Sequence, residues 1–427
     1  MPPGSEKTTE SQVVIEGGRS LNGEVRLSGA KNAALPMLAA ACLGFEPTVL
    51  KNVPTQMNDI AQMIALLEAV GAKIEVKGTT VMCSRGDMSG GEAPAELAGK
   101  VRTSLLLLGL FAGLRSHIFL PQPGGCQIGT RKYDLHLLGL RALGAEVEEQ
   151  DDGISLKANL LQGSSIDFYL PTTTGTENIM LAAALAEGVT TIRNANTRPE
   201  VQQLGQLLLD MGAQIKVQNR VVEVTGVKKL RGGATVTVMP GWDEAVTYIV
   251  AAGVTNGEIF IPDFGLEHIR EDARYLRKAG MDLFEWGDSL YASGKAEKQP
   301  FDLFTAPYPG VNSDMQPLFA VLALVTPGTS TITDLRFTDR FRYVEELRRF
   351  GGDIEAFGNS AIIRGGNLLK GADVSAPDLR GGMACVLAGM VAEGVTTVRN
   401  ISQIERGYEH FAEKLAGLGG AITRKAS

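Results

Sequence analysis

Apolar residues recur at helical spacing over 60–70, and the next stretch, 73–76, alternates apolar and polar. These two periods predict an amphipathic helix running into a half-buried strand. Gly71 stands between them, at the place where a helix C-cap takes a left-handed backbone that glycine enters without strain. The junction phrase has the form apolar–Gly–small–x–apolar, and it returns along the whole chain. Its glycines are Gly71, Gly144, Gly212, Gly280, Gly351 and Gly419, a spacing of 68–73 residues. A second phrase recurs out of phase with the first, as Thr48-Val49-Leu50, His117-Ile118-Phe119, Thr191-Ile192-Arg193, Glu258-Ile259-Phe260, Thr331-Ile332-Thr333 and Thr397-Val398-Arg399. Each predicts a short strand that follows an Ala/Leu/Gly-rich helix. The chain therefore reads as six units of mixed helix and strand, each longer than the repeats of common solenoids.

The runs 181–186 and 385–392 are apolar nearly all round. That pattern predicts helices buried inside with sheets outside, the reverse of a TIM barrel. The run 105–114 is apolar too, but too short to cross a bilayer, and reads as a buried core helix. Repetition alone also suits a structural repeat protein without catalysis. Irregular polar inserts between the repeats favour an enzyme.

Composition narrows the picture. The chain has 427 residues, 44% hydrophobic and 21% charged, with a formal net charge of −7. It is long enough for two or three domains. Its acidic balance gives no support for binding nucleic acid or a membrane, so an anionic substrate requires local clusters of Arg and Lys. Residues 1–11 are polar and lack the apolar stretch of a signal peptide; they are expected to be a disordered leader. Cys42, Cys83, Cys126 and Cys385 form no CxxC pair, and the four histidines show no HxxxH spacing. Neither a disulfide framework nor a metal site is expected, and no cofactor. Cys42 and Cys385 lie in helical Ala/Leu-rich runs and read as core residues.

Five polar inserts hold candidate chemistry. In Ser28-Gly29-Ala30-Lys31-Asn32-Ala33-Ala34-Leu35-Pro36, Lys31 is flanked by small residues and stands near a helix start suited to anions; a solvent-facing lysine is the plainer reading. Gly124-Gly125-Cys126-Gln127-Ile128-Gly129-Thr130-Arg131 marks a loop whose thiol, close to Arg131 and Lys132, is either reactive or incidental. Asp314 opens an apolar helical run, where an acid commonly serves as an N-cap or first-turn charge. Arg380, in Asp378-Leu379-Arg380-Gly381-Gly382, and Arg406, in Glu405-Arg406-Gly407-Tyr408, suit bidentate contact with carboxylate or phosphate; the plainer role of each is a surface ion pair.

Taken together with Thr176-Glu177-Asn178 and Asp314-Met315-Gln316, these blocks run in order from about Val13 to Ile422. The chain resembles the enolpyruvyl transferase family, and within it the enzymes that act on UDP-N-acetylglucosamine. The resemblance implies an inside-out α/β barrel fold of two similar domains, each of three β/α units. One domain is expected over 12–30 plus 240–427 and the other over 31–239, with the active site in the cleft between them. It implies transfer of the enolpyruvyl group of phosphoenolpyruvate to the sugar 3-hydroxyl with release of phosphate, through a tetrahedral ketal. That reaction is the first committed step of peptidoglycan precursor synthesis, carried out in the cytoplasm by a monomer.

The same resemblance implies roles. Lys31 and Arg406 grip phosphoenolpyruvate, helped by Arg102, Arg131 and Arg380. Asn32 and Asp314 hold the acceptor hydroxyl, with Asp314 as general base or orienting group. Cys126 lies on a closing loop, acts as general acid or in product release, and is the residue alkylated by fosfomycin. Lys132, Tyr133, Asp134, Leu135 and His136, with Thr172, Thr173, Thr174 and Gly175, contact uridine and diphosphate. Arg336 and Phe337 border the uracil.

Several positions depart from the family pattern: Lys132, where Pro is common; Thr172-Thr173-Thr174-Gly175 in place of Ser-Val-Gly-Ala; Asn312-Ser313 in place of Pro-Thr; Gly381-Gly382, where Ala is common; and Gly241-Trp242-Asp243 with Val246, where Asp-Arg-Ile and Gly are usual. Most lie near the nucleotide-sugar side or the inter-domain segment. They leave open a second acceptor, another uridine nucleotide of secondary metabolism, and a non-catalytic binding paralogue. Shikimate 3-phosphate fits less well, since the first insert lacks a Ser-Lys-Ser pattern.

Overall fold

The computed structural model describes residues 11–124, 132–337 and 340–425. Cys126, Arg131 and all but the last residue of the expected leader 1–11 lie outside the described residues. The chain divides into two compact units, Ser28–Gly241 and the remainder, which takes the chain up to Leu27 and from Trp242 onward. The sequence-expected junctions were 30/31 and 239/240. The two ends of the Ser28–Gly241 unit lie side by side: Gly241 N donates to Ser28 O (2.9 Å) and Ala30 N to Met239 O (2.7 Å).

Each glycine of the repeated phrase has a positive φ, from 83° at Gly351 to 106° at Gly212. The physical reason shows at Gly71. The helix Asn58–Ala69 ends with Gly71 N donating to Glu68 O (3.0 Å) and Ala72 N to Leu67 O (2.9 Å). This pair of bonds satisfies the last carbonyls and requires a left-handed residue between them. The chain then turns into the hairpin Lys73–Lys77 and Thr80–Ser84. At Gly71 a Cβ would also stand 2.0 Å from Asp87 O, whereas at Gly144 it would meet nothing within 4 Å. Gly144→Ala should therefore cost about 1–2 kcal/mol for the backbone conformation alone. Gly71→Ala should cost more, because backbone must move as well. Urea unfolding of the two variants checks this; equal midpoints would refute the steric contribution.

Among the described residues six four-stranded sheets result, and all share one pattern. A short strand pairs parallel with the strand of the second repeated phrase, which pairs antiparallel with the hairpin. In the Ser28–Gly241 unit, Thr235–Thr237 pairs parallel with Thr48–Lys51, which pairs antiparallel with Thr80–Ser84. In the other unit the last sheet is completed from the far end of the sequence. Gln12–Glu16 sits between Val395–Arg399 and Ala421–Lys425, with Val14 opposite both Thr397 and Thr423. The hairpin of the sixth repeat is thus split between distant segments, as the parallel strand of the first sheet is in each unit.

Among the described residues, inside each unit lie three helices buried along most of their length. They are Lys31–Ala41, Leu106–Gly113 and Thr173–Ala183 in one, and Trp242–Val254, Gln316–Val325 and Leu379–Val391 in the other. Amphipathic helices such as Pro199–Asp210 bury only one face. Small residues let the central helices approach closely: a Cβ at Gly109 would stand 2.2 Å from Asn178 O. The inside-out α/β arrangement expected from the apolar runs is the one found. Leu106–Gly113 is the buried core helix read from its sequence, and Cys42 and Cys385 are buried.

Candidate active site

In the unit that takes the chain up to Leu27 and from Trp242 onward, the helix Gln316–Val325 is preceded by a single 3-10 turn, Ser313–Met315. Asn312 caps that turn, its Oδ1 accepting from Asp314 N (3.0 Å). Asp314 is not the cap but the acid of the first turn, the second of the two plainer roles expected for it. Its carboxylate is instead turned to two arginines: Arg340 Nη2 donates to Oδ1 at 2.7 Å, and Arg380 Nε stands 3.7 Å from Oδ2. The turn is held by Asp334, the buried last residue of the strand Gly328–Asp334. Asp334 accepts from Ser313 Oγ, Gln316 Nε2 (2.7 Å), Thr305 Oγ1 (3.0 Å) and the backbone N–H groups of Arg336 (2.8 Å) and Phe337 (2.9 Å). One carboxylate thereby fixes the segment carrying Asp314 and the segment carrying Arg336 and Phe337. The Phe337 ring lies under two guanidiniums, 5.5 Å from Arg336 and 5.7 Å from Arg340.

Arg380 is in the first turn of Leu379–Val391, which Asp378 caps by accepting from Arg380 N (2.9 Å) and Gly381 N (3.0 Å). It is no surface ion pair: only 2% of the residue is exposed, and Nη2 donates to the carboxylate of Asp243, itself buried. The guanidinium also lies 4.9 Å from the centre of the Tyr408 ring. Burial opposes its charge, but Asp243, Tyr408 and Asp314 hold it well above its ordinary pKa. Nε and Nη1 of Arg380 and Nη1 of Arg340 have no hydrogen-bond partner among the described residues. Arg406 is half-buried, two residues before Tyr408.

In the Ser28–Gly241 unit, Lys31 is the first residue of Lys31–Ala41, a helix start with no side-chain cap. Its Nζ donates to Asp59 Oδ2 at 2.9 Å, with both side chains about nine-tenths buried (10% and 11% exposed). Lys31 is thus not a solvent-facing lysine. Asn32 follows, half-buried. Arg102 Nη2 donates to Lys132 O (2.9 Å), and burial pulls its guanidinium down from the ordinary pKa. Lys132 and Asp134 are exposed and Tyr133 is half-buried, whereas Leu135 and His136 are buried. The Asp134 carboxylate accepts from Tyr169 Oη at 2.5 Å.

The His136 ring serves the interior. Burial, with Arg102 next, pushes its pKa down to about 3, so it is neutral. Its Nδ1 lies 3.1 Å from Asn178 Nδ2, which also donates to Leu105 O (3.0 Å), while Asn178 Oδ1 accepts from Gly109 N (2.7 Å). Thr172 caps Thr173–Ala183 by accepting from Gly175 N (3.3 Å), and Thr173 Oγ1 accepts from Asn196 Nδ2 (2.9 Å). Thr172, Thr173 and Thr174 are half-buried and Gly175 is buried, at a helix start whose N–H groups suit a phosphate. Behind this turn, burial and then Glu200 push Glu177 up to about 8, against Arg198.

The structure thus gathers Asp314, Arg336, Phe337 and Arg380 around Asp334 and Arg340, which reading the sequence did not single out, and Asp243, which it named only as a departure from the family pattern. The arginine run Arg336, Arg340, Arg342 offers a weak signal for one of them. Asp334 carries none, and Asp243 none for its pairing with Arg380, because their partners are distant in sequence. No group of three or more His, Cys, Asp or Glu among the described residues is placed to hold a metal ion. No helix of the described residues is long and apolar enough to cross a membrane.

Comparison with known proteins gives consistent matches over nearly the whole chain. Residues 15–415 match the family model described as EPSP synthase (3-phosphoshikimate 1-carboxyvinyltransferase). The UDP-N-acetylglucosamine 1-carboxyvinyltransferase 1 of Symbiobacterium thermophilum is 41% identical over 418 residues, covering 96% of this chain and 94% of the relative. The UDP-N-acetylglucosamine 1-carboxyvinyltransferase 2 of Carboxydothermus hydrogenoformans is 42% identical over 414 residues, covering 96% and 98%. Among solved structures, the enolpyruvyl transferase NikO from Streptomyces tendae superposes with a TM-score of 0.88 at 25% identity, covering 98% of this chain and 99% of that one. An EPSP synthase from Acinetobacter baumannii shares the fold, with a TM-score of 0.76 at 18% identity over 97% of this chain and 100% of that one.

Proposed function

The chain belongs to the enolpyruvyl transferase family, and on that premise we propose that it transfers the enolpyruvyl group of phosphoenolpyruvate to the 3-hydroxyl of UDP-N-acetylglucosamine, releasing phosphate. One observation carries the assignment of the chemistry to this site. Asp314 lies against two buried guanidiniums that keep N–H groups without partners. Buried donors of this kind are costly unless a ligand satisfies them, and an anion does so best. A carboxylate beside them can take or orient the proton of an acceptor hydroxyl.

The acceptor oxygen adds to C2 of phosphoenolpyruvate as C3 gains a proton, which gives a tetrahedral ketal. C3 then loses a proton, the C2–O bond to phosphate breaks, and the enol ether forms. Asp314 and Asn32 hold the acceptor hydroxyl. Lys31 and Arg406, with Arg102, Arg131 and Arg380, neutralise phosphoenolpyruvate, so charge developing on the departing phosphate meets preorganised cations. Cys126 serves as general acid or in product release. The helix start at Thr172–Gly175 and the surface residues of the 132–136 stretch meet the nucleotide, and Arg336 with Phe337 borders the uracil. On this reading the reaction supplies peptidoglycan precursors in the cytoplasm, with the chain acting as a monomer on two dissolved anions.

A second reading keeps the chemistry and changes the acceptor to another uridine nucleotide; the exposed Lys132 and the threonine run at 172–174 favour it. Phosphate release from phosphoenolpyruvate with UDP-N-acetylglucosamine, other UDP-sugars, UMP and shikimate 3-phosphate decides between them. UDP-N-acetylglucosamine is expected to give the fastest turnover. Faster turnover with UMP would establish the second reading, and no release with any acceptor would overturn both.

A further inference from the structure

Behind the helix start at Thr172–Gly175 lies a buried charge cluster that the chemistry described above does not use. Thr173, Thr176 and Glu177 stand at positions i, i+3 and i+4 of Thr173–Ala183 and so share one face. The segment 196–200 crosses that face. Asn196 Nδ2 donates to Thr173 Oγ1 (2.9 Å), Asn196 N donates to Thr176 Oγ1 (3.2 Å), and Asn196 Oδ1 accepts from Arg198 N (3.2 Å). Arg198 Nε then donates to Glu200 Oε2 (2.9 Å), with the two side chains 12% and 0% exposed. Glu177 is 2% exposed, and its Oε1 has no hydrogen-bond partner among the described residues. Two buried carboxyls therefore face one guanidinium, and that guanidinium is engaged by Glu200.

The other charged groups on the elements packed against this helix are turned elsewhere. Leu106–Gly113 has no titratable side chain. On Asp134–Ala142, Asp134 accepts from Tyr169, the neutral His136 is turned to Asn178, and Arg141 donates to Val147 O. Lys31 donates to Asp59, and Arg102 to Lys132 O. Arg193, Glu223 and Asp210 are exposed. A carboxyl buried without a partner beside a second carboxylate keeps its proton, because ionising it would set two enclosed negative charges against one cation. Burial first, then Glu200, accordingly raises Glu177 to about 8 against the pull of Arg198. Ionised, Glu177 would compete with Glu200 for Arg198, whose N–H ties the segment to Asn196 and through it to Thr173. It would also place a negative charge one turn behind N–H groups suited to a phosphate. We propose that Glu177 is the pH-sensitive element of the nucleotide end of the site: as the neutral acid it leaves the helix start set for an anionic diphosphate, and on losing its proton it weakens nucleotide binding. The proposal rests on the reading that Thr172–Gly175 meets the nucleotide.

The test is calorimetric titration with UDP-N-acetylglucosamine across neutral and alkaline pH, on the wild-type chain and on Glu177→Gln, together with melting curves. The wild-type Kd should rise about three- to tenfold between about pH 7 and about pH 9, as a carboxyl titrating near 8 requires when its ionised form binds poorly, and that of Glu177→Gln less than about twofold. The ligand's own titration is common to both proteins and cancels. Melting reads the proton itself. An acid whose pKa rises on folding stabilises the fold below the ordinary carboxyl range, and that contribution is lost as pH rises through about 8. The variant should therefore gain on the wild type from about pH 5 to about pH 8 and no further. Glu177→Leu, which buries no polar group, gives both readouts if the amide does not fold. Equal pH profiles of Kd in wild type and variant, or a melting difference that does not change with pH, would overturn the proposal. Thr172→Ala, which removes the helix cap, separates the failures. Unchanged UDP-sugar affinity there sinks the placement of the nucleotide at this helix start, whereas weakened affinity with equal pH profiles sinks only the role of Glu177.

Discussion

Asp314→Asn should lower turnover by roughly 10²–10⁴, with a modest loss of stability. The expected loss comes from exchanging a charged group that can take or orient a proton for an amide that cannot take one. The fold should survive, because Asn312 caps the turn and Asp334 anchors it. The amide oxygen can still accept from Arg340, although the ion pair becomes a weaker neutral-acceptor bond. Steady-state phosphate release with both substrates, together with a melting curve, checks the result. A variant within a few fold of wild type would remove Asp314 from the chemistry and leave it as a partner for two arginines.

Lys31→Ala should reduce kcat/KM for phosphoenolpyruvate by roughly 10²-fold and change UDP-sugar affinity only slightly, with Arg406→Ala acting in the same direction. Lys31 carries a second expectation. Its ammonium is the partner of Asp59 at a site where both side chains are about 10% exposed. Removing it leaves a carboxylate largely buried without its cation, which destabilises the fold independently of any effect on substrate. Lys31→Ala with Asp59→Asn should recover stability but not phosphoenolpyruvate use. Calorimetric titration with the UDP-sugar and kinetics with phosphoenolpyruvate separate these effects. Equal loss of UDP-sugar affinity in both single variants would mean that the cations serve the larger substrate.

Much of the architecture was legible in the residues. The repeated glycines marked helix ends because a left-handed backbone is a local requirement, and each of them has a positive φ. The second phrase marked strands, and all six are found, from Thr48–Lys51 to Val395–Arg399. Helices that are apolar on every side had to lie inside. The first insert was legible as far as Lys31 at a helix start, since small flanking residues and an uncapped first turn are sequence features. Arg380 was legible only as a cation for an anion. Nothing near it in sequence indicated burial, or a partner in Asp243, 137 positions away.

What the sequence determined by itself is therefore what short segments decide alone: the six-fold period, the helix ends, the strands, and a set of charged residues in polar inserts. Backbone preference and apolar periodicity act over a few residues, and they act the same way in any tertiary context that buries the apolar face. Tertiary structure alone decided which segments meet. Gln12–Glu16 completes a sheet with Val395–Arg399 and Ala421–Lys425, a pairing no local propensity specifies, because any exposed strand edge offers the same row of N–H and C=O groups. It also decided the charge network. Nothing in the sequence pairs Asp334, Asp243 or Arg340 with Asp314 or Arg380, and their effect on those two residues arises from distances of a few ångströms in a buried setting where charges are weakly screened.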